Sequence, residues 1–164
     1  MHAYAAAGWE NFFVAEAGAS AALAGLLFVA VSINLSRILA FPQLPGRAAE
    51  ALIILVGVLV DATIGLVPEQ PRWVLGAGMS VVGVTVWAYP ILLQLRAIEA
   101  PGAPRRWKTV RILSHQVATV PMLVAGLSVL VGRGGGLYWL LPGTIFSFSV
   151  GLLNAWVLLV EIQR

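Results

Sequence analysis

Glu16 and Asp61 are the residues of this sequence best suited to chemistry, because each falls inside a long apolar stretch. A carboxyl placed in such a stretch is costly and needs a reason to be there. Asp61, the one aspartate in the chain, sits one and a half turns before its stretch ends at Val67. At the helical rise of 1.5 Å per residue that is about 9 Å deep. Glu16 lies a little over one turn into the preceding stretch. Consecutive membrane spans run in opposite directions, so both acids are expected in the same half of the bilayer. Carboxyls held there attract cations or carry a proton. The plainer reading puts Glu16 at the interface and Asp61 in a bond to a neighbouring helix, with Arg72 or Arg133 as the nearest cationic partners.

A second group is neutral. Thr144, Ser147, Gly151, Asn154 and Glu161 recur along one helical face. They suit a narrow hydrated path or interhelical hydrogen bonds worth roughly 0.6 kcal/mol each. Asn34, near the far end of the first stretch, joins them as a candidate. His115 shares a face with Thr119, Met122 and Gly126. It belongs to the residue type that titrates near neutral pH, and it suits either a proton relay or a structural hydrogen bond. The candidate ion pathway is therefore Glu16, Asp61, Asn34, Thr144, Ser147 and Asn154.

Other chemistries find no support. Cysteine is absent and the two histidines are far apart, so no metal site is expected. HExxH, GxSxG and GxxxxGK[ST] patterns are missing, and no enzyme activity or cofactor is expected. The single aspartate excludes a two-aspartate intramembrane protease.

The elements that must position these residues follow from composition. Of 164 residues, 60% are hydrophobic and 10% charged. A water-facing surface needs more charge, roughly 25% of residues, so lipid is the expected solvent. Five apolar stretches read as transmembrane helices at about 11–39, 48–67, 73–95, 110–131 and 137–162. They form one all-α membrane domain, 1–164, with the longest connection at 97–109. Met1–Gly8 has no Lys or Arg, so the first stretch reads as a retained span and not as a cleaved signal.

Orientation follows from the basic residues. One side collects Arg37, Arg47, Arg96, Arg105, Arg106, Lys108, Arg111 and Arg164; the other has Arg72 and Arg133. This predicts an N-terminus outside and a C-terminus in the cytoplasm. Trp9, Trp73, Tyr138 and Trp139 fall at the outer helix ends, where amphipathic rings settle. Arg96, Arg105, Arg106, Lys108 and Arg111 are expected to meet anionic lipid headgroups, which explains the pI near 10 without nucleic acid. An Ala-, Gly-, Val- and Arg-rich chain with a single lysine suggests a bacterial inner membrane.

The first span carries small residues at Gly18, Ala22, Gly25, Ser32 and Ser36. Such a stripe suits close helix packing, within the subunit and between subunits. Two functions fit. One is a homo-oligomeric channel or permeation pathway for cations. The other is a non-conducting accessory protein that docks a partner through small-residue faces.

Overall fold

The computed structural model describes residues 2–41, 44–98 and 105–159, with side chains described for 3–41, 44–94 and 109–159. The helices are α1 (Glu10–Ile33), α2 (Leu35–Ala40), α3 (Leu44–Gly65), α4 (Arg72–Ile98), α5 (Arg105–Val131) and α6 (Leu140–Leu159). Short 3-10 turns occupy His2–Tyr4 and Gly136–Trp139. No strand occurs among the described residues. Five helices among them, all but α2, are long and apolar enough to cross a membrane.

Uninterrupted apolar sequence gives helices that satisfy their own backbone polar groups. Pro90 and Pro121 sit inside α4 and α5 without ending them. Between α3 and α4, Gln70 Nε2 donates to the carbonyls of Ile64 and Val67, tying down the turn that follows α3.

Two boundaries differ from the sequence expectation. The stretch 11–39 is not one helix: the chain breaks at Asn34 and resumes as the short α2. Asn34 Nδ2 donates to Ala30 O and to Leu158 O on α6, both at 3.3 Å. A side chain held by another helix in this way turns the backbone. In the connection 97–109, α4 continues to Ile98 and α5 already begins at Arg105. The expected ends at 160–162 lie outside the described residues.

The five long helices form a ring in the order α1, α3, α4, α5, α6, with α3 also packed against α6 across the middle. One apolar cluster contains Phe13, Leu75, Met79, Val129, Leu137 and Leu140 at the end of the bundle marked by Trp9. A second contains Leu27, Ile38, Ala51, Leu55 and Leu158 at the end marked by Arg111. The seam between α4 and α5 is the closest. A Cβ on Gly83 would lie 2.8 Å from Leu123 Cα, and one on Gly126 would lie 2.8 Å from Ser80 Cα. Two glycines facing opposite backbones permit this approach.

The outside of the bundle is apolar. Leu26, Phe28, Val81, Leu153 and Trp156 are exposed, and α6 has no charged residue. Of the charges set back from the helix ends, Glu16, Glu50 and Asp61 are buried. Apolar exterior and buried charge suggest a multi-pass membrane protein.

Candidate functional site

Glu16 and Asp61 reach the bundle interior from antiparallel helices, α1 and α3. Asp61 is 0% exposed and Glu16 4%. Glu16 lies near enough to act electrostatically on Asp61. From α6, Thr144 donates its hydroxyl hydrogen to Glu16 Oε1. Glu16 Oε2 and both oxygens of Asp61 have no hydrogen-bond partner. Neither Arg72 nor Arg133 reaches them. Of the charged partners considered from sequence, Asp61 therefore has none.

The polar face of α6 turns inward. Thr144, Ser147, Gly151 and Asn154 are all buried. Ser147 lies one turn below Thr144 and donates to Met122 Sδ on α5 at 3.7 Å. Ser20, one turn below Glu16, spends its hydroxyl on the carbonyl of Glu16. Of the six candidates, Glu16 and Thr144 meet directly, Asp61 is buried on the antiparallel helix α3, and Ser147 lies one turn further in. Asn34 and Asn154 lie apart from them, toward the Arg111 end. Asn34 holds Leu158 O, and Asn154 Oδ1 accepts from Arg47 Nε at 2.7 Å.

The acids are sealed toward the Trp9 end. Phe13, one turn before Glu16, lays its ring on Gly65, one turn after Asp61. A Cβ on Gly65 would lie 2.6 Å from that ring, so only glycine leaves room for it. Leu75, Val129, Leu137 and Leu140 complete the apolar layer. Above it, the ring of Trp9 meets Tyr138 edge-on at 5.0 Å. Tyr4 Oη accepts from Gly135 N at 3.2 Å, which draws the N-terminal segment over the α5–α6 connection.

A second polar layer lies toward the other end. Arg111 on α5 binds Glu50 on α3 through two bonds, Nε to Oε2 at 3.0 Å and an Nη to Oε1 at 2.6 Å. Arg111, expected on lipid headgroups, keeps 27% side-chain exposure beside this pair. The side chains of Arg96, Arg105, Arg106 and Lys108 lie outside those described. Glu50 and Asp61 are about 16 Å apart along α3 at 1.5 Å per residue.

Glu50 was missed in the sequence, and a signal for it existed. The face carrying Gly57, Asp61 and Gly65, continued two turns toward the N-terminus, reaches Ile54 and then Glu50. On α5, the face of His115 continued one turn reaches Arg111.

The arrangement offers two carboxyls with three free oxygens and a hydroxyl donor in an apolar enclosure. A buried carboxylate without a counter-charge costs several kcal/mol. Each such group calls for a proton or a cation. No group of three His, Cys, Asp or Glu that could hold a metal occurs among the described residues. No family model, no curated protein and no solved structure matches this chain.

Proposed function

We propose that this chain is a membrane permeation protein that moves cations, the proton above all, through the interior of each subunit. Asp61 carries the argument: a fully buried carboxyl whose two oxygens have no partner. A helical membrane protein keeps such a group where it binds something that comes and goes. Glu16 shares the load, and Thr144 orients it. Ser147 extends the polar surface toward the bundle centre.

The chain sits with its N-terminus outside and its C-terminus in the cytoplasm of a bacterial inner membrane. The basic residues gathered at the Arg111 end support this orientation. The acid pair then lies in the outer half of the bilayer, behind the Phe13 layer.

The test is proton flux in liposomes under an imposed potential, read with a pH-sensitive dye. Asp61→Asn and Glu16→Gln are each expected to slow it about tenfold or more. Native flux in both variants removes the proposal.

A second reading keeps the bundle non-conducting and gives α1 to assembly. Its support is that Gly18 and Gly25 face open space, with no atom within 4 Å of a Cβ built on either. A small-residue helix face left uncovered in one subunit suits a second copy of the chain. Replacing both glycines by leucine separates the readings. Loss of an oligomer with flux retained leaves the interior path intact, whereas an oligomer without flux in the native chain favours assembly.

A further inference from the structure

His115 belongs to neither the acid pair nor an ion pair, and its surroundings are specific. Its Nε2 lies 3.2 Å from the carbonyl oxygen of Trp87 on α4. A carbonyl oxygen only accepts, so Nε2 carries the hydrogen and donates it. Pro90, one turn on, has no N–H for the Val86 carbonyl and so loosens α4 next to this contact. Trp87 Nε1 also donates to Gln116 Oε1 at 2.8 Å, which fixes the two helices at this level.

The consequence falls on Nδ1. With the hydrogen held on Nε2, neutral His115 presents a bare lone pair at Nδ1. That atom is buried in a residue only 2% exposed, and nothing donates to it. A histidine used only for structure would have both ring nitrogens bonded, because an unpaired buried polar atom costs about 1–3 kcal/mol.

A second unsatisfied polar group lies on the facing helix, about one turn away. Gln94 on α4 is 4% exposed, and both atoms of its carboxamide lack a partner. The α4–α5 register, set by Gly83 against Leu123 and Gly126 against Ser80, puts Gln94 close to the level of Arg111. The charges acting on His115 are Glu50 from α3 and Arg111 from its own helix. They are already paired with each other. The α6 helix brings no charge, and α4 meets His115 through the neutral carbonyl of Trp87.

We propose that His115 Nδ1 is a second proton-binding site, separate from Glu16 and Asp61 and lying toward the Arg111 end. The lone pair on Nδ1 takes a proton from hydronium, leaving water and an imidazolium whose Nε2–H still bonds Trp87. On release the proton returns to water. This site stands whether or not the acid pair conducts.

The experiment is nitrogen NMR of the full chain in lipid bilayers, with labelled imidazole. The chain has two histidines, so His2→Gln leaves His115 as the single signal. At about pH 8 one protonated Nε2 and one bare Nδ1 are expected. On acidification to about pH 5 both nitrogens are expected to become N–H, reversibly. A spectrum that does not change, or one with the hydrogen on Nδ1 at the higher pH, overturns the proposal. His115 itself stays native, so no folding defect at the site can imitate either result. Flux is not read, so failure here and failure of the acid pair are told apart.

Discussion

Arg111 and Glu50 face each other across α5 and α3, joined by two parallel hydrogen bonds, with the Glu50 side chain 5% exposed. Removing one partner strands a buried charge. Arg111→Met is expected to destabilise the bundle by about 3–5 kcal/mol, measured by unfolding in bicelles. Arg111→Met with Glu50→Leu should recover most of that loss, since an apolar pair of similar volume is often neutral or better. A double variant no more stable than Arg111→Met would mean that the loss does not come from stranding the Glu50 charge.

Asp61 predicts the opposite sign. Asp61→Asn keeps the shape and removes a buried acid that has no partner. Stability in the same assay should hold or rise by about 1 kcal/mol, while flux falls. A large loss of stability would reveal a structural bond for this carboxyl.

Thr144 tests how Glu16 is held. Thr144→Val preserves volume but removes the hydroxyl that donates to Glu16. A buried acceptor then loses its donor, at an expected cost of about 1–3 kcal/mol. Thr144→Ser restores the hydroxyl and should restore stability. Equal losses in the two variants would point to packing instead.

Glycines separate tight seams from open ones. Gly65→Ala drives a methyl to within 2.6 Å of the Phe13 ring and should cost about 1–3 kcal/mol, with partial rescue by Phe13→Leu. Gly83→Ala meets the backbone at Leu123, which cannot swing aside, so it should cost more and resist rescue. Gly18→Ala and Gly25→Ala meet nothing and should stay within about 0.5 kcal/mol of the native subunit.

Local pattern carried the sequence reading as far as local pattern reaches. Apolar stretches bounded by Pro, Gly or charge mark five helices. Opposite travel of the first two long helices brings Glu16 and Asp61 to one level. The helical repeat of Thr144, Ser147 and Asn154 marks the inward face of α6. Pairings over long separations were hidden. Glu50 sits near the start of its helix, where it looks like an interfacial residue, and its partner lies on α5. Asn34 looks like one polar residue in a long span until its bond to Leu158 accounts for the turn. The small-residue stripe of α1 is expected to pack within the subunit and between subunits; at Gly18 and Gly25 it faces outward, and nothing in composition tells which part of the stripe serves which side.

The Phe13 layer has a consequence for timing. A carboxyl open to water exchanges at the pace of diffusion, so throughput climbs with concentration and voltage. Glu16 and Asp61 lie under a plug of rings and aliphatic side chains on the Trp9 side, so under the proposed proton path exchange with that side waits for the plug to part. Such collective motions run on microseconds to milliseconds. If the proposed path conducts, its flux is expected to saturate at a modest turnover number set by this opening, with a steep temperature dependence. Its record on a bilayer would be a smooth, small, saturable current and not the square steps of an open pore.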